Sequence, residues 1–371
     1  MIGSLRSGGA ETYVANLAPV LRNYGIDMDI CALERTGPLL SKLEKQRICV
    51  YDTPFPRSSR PLNSLRMLRT VDAIRRIVKA GRYDIVHTYL YSAGVLGVAA
   101  ARLAGCRRII ISRQALHSWI HKPKAILHGL EQVANLFADE LIACSAATLR
   151  DAEANERWLP TARTVIYNAV DVDAYEPVRM LQDGPIRLVT VGALARRKGQ
   201  EYAIEALKHA TAAGVQASLH LVGAGPDQSM LRRKVAEDGL ERLVTFVGHQ
   251  ADPRPFLAQA DVFLLPSRQE GFSVALLEAM ASSMPAIATD VGGNAEALVA
   301  GKGGWIVPPE QPAAIAAAIG AAAGNRLELM QMGRFNRKRV ADLFSIQASA
   351  QRLADWYSTA HNSSSPAALA R

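Results

Sequence analysis

Residues 266–280 read PSRQEGFSVALLEAM, and two carboxylates, Glu270 and Glu278, stand eight residues apart within them. Acids rarely enter an apolar segment unless something pairs with them. Ser273 is a natural N-cap, and Pro285 follows the point near Ser282 where a helix would end. Gly271, Phe272 and Ser273 would then present free amides and the positive end of a helix dipole. Eight helical residues would span about 12 Å. Carboxylate pairs that hydrolyse one bond sit about 5–9.5 Å apart. The spacing here suits acids that grip opposite ends of one long ligand. The plainer alternative is that both acids are paired with cations for structure.

Outward from this stretch, short β-branched runs alternate with helical patterns. Strands are expected near 27–33, 48–52, 84–90, 108–112, 140–144 and 164–168, then near 187–192, 217–223, 243–247, 261–265, 286–289 and 305–307. Apolar runs of this kind between helices mark parallel strands buried on both faces. Two such sets predict two doubly wound units, with the boundary at 173–185 (DAYEPVRMLQDGP), where Pro and Gly cluster. Ligands of such sheets bind beyond the carboxyl ends of the strands, and the unusual residues fall there.

After the first strand of the second half comes Gly192-Ala193-Leu194-Ala195-Arg196-Arg197-Lys198-Gly199, whose three consecutive cations suit a diphosphate or, more plainly, a solvated loop. Gly223-Ala224-Gly225-Pro226 and Asp290-Val291-Gly292-Gly293-Asn294 repeat the strand-then-glycine pattern. In the first half, Ser7-Gly8-Gly9-Ala10-Glu11 opens a helix, but only Met1–Leu5 precede it, so its leading strand is expected to be missing or cut short. His117 follows the strand at 108–112 and would face the same side.

The whole chain has 371 residues, 49% apolar and 21% charged, as in an ordinary globular protein of two domains. Cysteines 31, 49, 106 and 144 form no C-x-x-C pair, which argues for reduced thiols and against a zinc site. Asp27-Met28-Asp29 has the letters of an acidic metal signature but reads as strand. The start, MIGSLRSGGAE, holds no apolar leader, and no run is long enough to span a bilayer. Residues 1–175 carry 23 Lys and Arg against 16 Asp and Glu, whereas the remainder carries 20 against 18. A basic first half points to an anionic partner. Its cations concentrate in 57–82: Arg57, Arg60, Arg66, Arg69, Arg75, Arg76, Lys79 and Arg82, against Asp72 alone. On a helix, 66, 69, 76 and 79 share a face, with Leu65, Leu68, Ile74 and Ile77 elsewhere. An anionic membrane surface or plain solvent suits that face. Nucleic acid does not, because no aromatics interleave with the arginines.

Together these residues resemble the retaining glycosyltransferases of family 4, the E-x7-E enzymes of the GT-B fold. The resemblance is densest at 192–199, 222–226, 266–280 and 285–296 (PAIATDVGGNAE), and is visible at 8–11, 138–145 (ADELIACS) and 166–171 (IYNAVD). It implies an α/β protein with two Rossmann-like domains facing across a cleft: an acceptor domain at 1–175, a nucleotide-sugar domain at 176–345, a helix at 346–360 returning to the first domain, and a disordered tail at 361–371. It also implies that Glu278 holds the ribose and that Glu270 holds the sugar hydroxyls, helped by the amides of Gly271 and Phe272. Lys198 would meet the diphosphate, His117 would approach the reacting sugar, and Gly8 and Gly9 would meet the diphosphate or the acceptor. Arg196, Arg197, Ser273, Gly223, Gly225, Gly292 and Gly293 complete the expected donor site. No cofactor or metal is implied; the donor would be a UDP-sugar or GDP-sugar.

The acceptor would be a lipid-linked or cell-envelope glycan. The protein would be cytoplasmic, peripheral on the inner face of the plasma membrane, and would serve polysaccharide biosynthesis. Two positions depart from the family pattern: Ala193 replaces an arginine and Ala169 a glycine. Arg196 and Arg197 offer the lost charge from the same loop. The rival readings are a sugar-nucleotide epimerase of the same fold and a non-catalytic nucleotide- or glycan-binding relative.

Overall fold

The computed structural model describes residues 1–6, 8–55, 64–116, 125–177 and 184–359. Contacts divide the chain into two compact units, one of Met1–Tyr167 with the chain from Gln347 onward, the other of Asn168–Ile346.

Among the described residues the first unit has seven parallel strands: β1 (Ile2–Ser4), β2 (Ile30–Glu34), β3 (Val50–Tyr51), β4 (Ile85–Tyr89), β5 (Arg108–Arg113), β6 (Glu140–Ala143) and β7 (Ala162–Val165). They run in the orders β1-β2-β3 and β4-β5-β6-β7. The amide of Tyr89 donates to the Met1 carbonyl at 2.9 Å, which joins β4 to β1 and places the reversal of strand order between them. Ile109, Ile110 and Ile111 of β5 are all buried, as a strand covered on both faces requires. The strand ahead of the first glycine turn is thus present but only three residues long, paired Ile2 to Ala32 and Ser4 to Glu34.

Asp27 and Asp29 differ from the strand expected of them. Both are exposed ahead of β2, where Asp29 accepts a hydrogen bond from the Tyr83 hydroxyl at 2.5 Å. The strand expected at 164–168 sits at 162–165, because the residues after it turn towards the second unit's sequence.

The helix Ile346–Ser358 completes the first unit. It buries Ile346, Ser349, Ala350, Leu353 and Ala354, a 3–4 spacing that makes one face. Polar anchors flank that stripe. Ser349 meets the Tyr13 hydroxyl at 2.8 Å, and the Trp356 indole donates to Glu140 at 2.6 Å. Arg108 pairs with Glu140 and donates to the carbonyls of Trp356 and Tyr357. The Tyr357 hydroxyl reaches His87 Nδ1 at 2.6 Å.

The second unit is a six-stranded parallel sheet in the order β10-β9-β8-β11-β12-β13. Its strands are β8 (Ile186–Val191), β9 (Ala217–Val222), β10 (Val244–Gly248), β11 (Val262–Leu265), β12 (Ala286–Thr289) and β13 (Gly304–Val307). The chain leaves β8 towards β9 and β10, then returns to lay β11 on the other flank of β8. That reversal is the switch point of a doubly wound sheet, the place where sheets of this kind bind their ligands. Every residue of β11 and β12 is buried.

Candidate active site

At this switch point two charged side chains meet. Lys198, in the short 3-10 turn Arg196–Lys198 after β8, donates from Nζ to Glu270 Oε1 at 2.5 Å. The hydroxyl of Ser267 donates to the same oxygen at 2.7 Å. The side chains are only 14% and 7% exposed, so neither charge is balanced by bulk water. Ser267 is itself fixed, since Thr289 at the end of β12 donates to its carbonyl at 2.6 Å.

The loops are laced together by their backbones. The Arg197 carbonyl accepts from the Arg268 amide at 2.9 Å. Gly199 has φ +64°, and a Cβ there would lie closer than 3.0 Å to the Pro266 carbonyl oxygen. Only glycine permits both. The same holds at Gly292, φ +54°, whose missing side chain leaves room for the Glu270 carbonyl. Gly223 abuts the Gly192 carbonyl, and Gly225 the Leu194 carbonyl.

The glycines expected to bare their amides to a ligand thus stack one loop on the next. The amide of Gly223 is spent on Gly248 at 2.8 Å, and that of Gly293 on Gly271 at 2.9 Å. Arg196 is exposed, Arg197 is half-buried, and Ala193 is exposed with its carbonyl taken by Gln200 Nε2 at 2.9 Å.

Beyond Glu270 the chain turns through Gly271 into the helix Val274–Ala281. Ser273 caps it, accepting from the Leu276 amide at 3.3 Å. The ring of Phe272 turns inward and lies 5.3 Å from that of Phe344. Its carbonyl accepts from Asn168 Nδ2 at 3.4 Å. Glu278, on this helix, is half-buried, and burial pushes its carboxyl up to about 7. A hydrogen bond from Tyr175 opposes that rise, Asp252 adds to it, and Arg254 works against it.

In the first unit, Gly8 caps the helix Gly9–Leu21 from an extended conformation. A Cβ on Gly8 would collide with the Glu11 carboxyl, so that acid folds back over the turn. Burial raises the Glu11 pKa. His117 lies outside the described residues, as do Arg57, Arg60 and the tail from 361. On the helix Ser64–Gly81, Arg66, Arg69, Arg76 and Lys79 are exposed, and Asp72 pairs with Arg75 at 2.7 Å and Arg76 at 2.6 Å. Leu65 and Leu68 stand exposed among these cations, while Ile74 is buried.

Two family models match: the glycosyltransferase family 4 model over residues 7–174, and the glycosyl transferases group 1 model over residues 185–325. Between them they take in most of the chain. It belongs to the family 4 glycosyltransferases. The putative colanic acid biosynthesis glycosyltransferase WcaL of Salmonella typhimurium is 34% identical over 186 residues, covering 47% of this chain and 45% of that one. The glycogen synthase of Mycobacterium tuberculosis is 30% identical over 62% of this chain and 56% of its own. The match thus spans about half the length of these relatives. An Escherichia coli UDP-Gal:alpha-D-GlcNAc-diphosphoundecaprenol alpha-1,3-galactosyltransferase is 27% identical over 74% of each chain. Among solved structures, HepE of Anabaena in complex with UDP superposes with a TM-score of 0.80 at 22% identity, over 96% of this chain and 98% of that one. The fold is GT-B.

In this family 4 member the second unit brings together Lys198 and Glu270, and seats Gly271, Phe272, Ser273 and Glu278 directly after them. Sequence reasoning missed Ser267, although it sits in the quoted stretch, because a serine beside a proline carries no signal of its own. Tyr175 and Arg254 were also missed. Tyr175 was hidden in a segment that reads as linker, and Arg254 opens the short helix Arg254–Leu257, which no glycine marks.

Proposed function

We propose that this chain is a retaining, metal-independent hexosyltransferase. It moves a sugar from a UDP- or GDP-sugar to a lipid-linked or cell-envelope glycan. The observation that carries the reading is the Lys198–Glu270–Ser267 cluster at the switch point, with Glu278 on the helix that follows. Lys198 and Glu270 satisfy each other. A donor would exchange those partners: its diphosphate takes Lys198, and Glu270 turns to the sugar hydroxyls. Glu278 accepts from the ribose diol.

The leaving group is a nucleoside diphosphate, so what needs stabilising is negative charge on its phosphate oxygens. Lys198, once the donor has drawn it from Glu270, can do that together with Arg196, Arg197 and the amino end of the helix Val274–Ala281. The acceptor oxygen bonds to the anomeric carbon on the face from which the phosphate departs. The departing phosphate oxygen takes the acceptor's proton, and the configuration is retained.

The printed names of relatives support the acceptor class. One is named for transfer to a diphosphoundecaprenol-linked sugar and another for colanic acid biosynthesis. The HepE structures with UDP and UDP-glucose favour a uridine donor. A lipid-linked acceptor lies at a membrane, and the exposed Leu65 and Leu68 among Arg66, Arg69, Arg76 and Lys79 suit an anionic surface on the cytoplasmic side. Among the described residues no helix is long and apolar enough to cross a bilayer.

The test is a melting screen with UDP and GDP in EDTA, followed by turnover with the matching sugars. One nucleotide should raise the melting temperature, Glu278→Ala should abolish that shift, and the product should keep the donor's anomeric configuration. No shift with either nucleotide refutes the donor site; an epimerised donor as sole product refutes the transferase.

A further inference from the structure

The helix Ala125–Phe137 is built inside out. Its buried face holds Glu131, Gln132 and Asn135 beside Ala134. Arg113, at the end of β5, grips that face, pairing with Glu131 at 3.4 Å and donating to Asn135 Oδ1 at 2.5 Å. Asn135 Nδ2 donates in turn to Glu156 at 2.8 Å, and the Arg157 amide donates to Gln132 Oε1. The outward face is apolar. Gly129, Leu130, Val133, Leu136 and Phe137 are exposed, at the 3–4 spacing of one stripe. Its four large side chains are each between 38% and 47% exposed. Single exposed apolar residues are ordinary, but a stripe of them with no charge inside it marks a contact surface.

This helix packs against the helix Tyr91–Ala104, which packs also against Ser64–Gly81. The exposed residues of Tyr91–Ala104 are Ser92, Ala99 and Leu103, none of them charged. Its Arg102 pairs with Asp139 at 2.5 Å and donates to the Phe137 carbonyl at 2.7 Å, which brings Leu103 and Phe137 to one end of the helix pair. Ser64–Gly81 adds the exposed Arg66, Arg69, Arg76 and Lys79.

We propose that the outward face of Ala125–Phe137 docks on an anionic lipid surface. Leu130, Val133, Leu136 and Phe137 enter the upper acyl chains, and the cations of Ser64–Gly81 meet the headgroups. The proposal rests on the reading of an acceptor held at a membrane. A second copy of this chain would cover the apolar stripe but leave those cations unanswered, whereas an anionic bilayer answers both. Arg113 gives the docking a consequence. It ties the seated helix to the carboxyl end of β5, the edge where such sheets bind ligands, so a lipid-linked acceptor reaches that edge from the membrane.

The experiment sediments wild type, Leu136→Ser, Phe137→Ser and Arg66→Ala with vesicles of equal parts phosphatidylglycerol and phosphatidylcholine, at low and at high salt. Leu136→Ser and Phe137→Ser should each weaken binding about 3- to 10-fold, by the same factor at both salts. Arg66→Ala should lose its effect at high salt, because salt screens exposed charge. All should melt near the wild type and keep the shift given by nucleotide. Phe137→Trp, which keeps the stripe apolar, should gain emission that brominated phosphatidylcholine in the vesicles quenches. Unchanged binding in both serine variants, or no added quenching in Phe137→Trp, overturns the proposal. So does a wild type that is dimeric without lipid and becomes monomeric in the serine variants. Serine variants that bind normally beside a weakened Arg66→Ala dismiss this helix alone. A wild type that ignores the vesicles dismisses the membrane-held acceptor as well. The donor site is judged apart from both, by the nucleotide shift.

Discussion

The carboxyl edges of the two sheets are built differently. In the second unit each loop leans on its neighbour through a glycine: Gly223 on Gly192, Gly199 on Pro266, Gly292 on Glu270. The contacts are backbone on backbone and leave no slack. In the first unit Gly37, after β2, abuts the Leu5 carbonyl after β1 in the same way, whereas a Cβ on the Gly8 turn would meet the flexible end of the Glu11 side chain. Leu90, directly after β4, holds φ +69° and ψ 164°, a conformation that costs a leucine energy. A pre-ordered set of loops suits a ligand whose phosphates and ribose never vary. A looser edge suits a partner whose chemistry differs from one enzyme to the next.

The sharpest break in that comparison is chemical. Glu270→Ala should lower turnover by about 10²–10³-fold, measured with saturating donor, while the melting shift given by nucleotide persists. If turnover survives, the laced loops are scaffold and no more.

Stability gives the next test. Gly292→Ala combines a left-handed backbone with a carbonyl collision and should cost about 2–4 kcal/mol in denaturant unfolding. Gly8→Ala, at φ −107°, displaces only the Glu11 carboxyl and should cost less than about 1 kcal/mol. Equal losses would erase the distinction between the two edges.

A third effect depends on pH. Burial pushes the Glu278 carboxyl from its ordinary 4.5 up to about 7. Its folded pKa is raised, so between those values the folded state binds more protons than the unfolded one, and stability falls as pH rises through that window. Replacing Glu278 by Gln should therefore raise the nucleotide-free melting temperature more at pH 8 than at pH 5. The gain should be on the order of 1–2 kcal/mol. Nucleotide binding by the wild type should run the other way, weakening as pH drops below 7, because the ribose needs an ionised acceptor.

The smallest effect lies on the first unit. Arg66→Ala or Arg69→Ala should each weaken binding to vesicles rich in anionic lipid by about 1 kcal/mol, or roughly 5-fold. Sedimentation would read it, with nucleotide binding unchanged. Loss of nucleotide binding in these variants would mean that the surface is not a separate device.

Most of the sheet was legible because strands buried on both faces must be apolar throughout: Ile109–Ile111 and Val262–Leu265 admit little else. The helix after Ser273 was legible from its cap and from Pro285. Other features were not. The strand Ile2–Ser4 is too short to show a period. Asp27 and Asp29 alternate as a strand would, yet stay in solvent, because the buried run begins only at Ile30. The glycines at 223 and 292 announce a tight turn but not its cause, which is a neighbouring carbonyl far away in sequence. Tyr175 shows the limit most clearly: its carbonyl is held by Arg337 of a helix far along the chain, and nothing local in DAYEP points there. In the same way, Leu65 and Leu68 fit an amphipathic pattern whose buried side, occupied by Ile74, only packing reveals.

The chain enters the second unit at Asn168 and returns to the first at Gln347, and the two crossings lie side by side, with Val170 hydrogen-bonded to Phe344 and Ile346. In chain order the second unit is therefore an insertion in the first. During synthesis, Asn168–Ile346 is made in full before Gln347–Ser358, so the later unit can finish folding ahead of the earlier one. Tyr13, His87 and Glu140, made first, must wait on the ribosome for the last helix to supply Ser349, Tyr357 and Trp356.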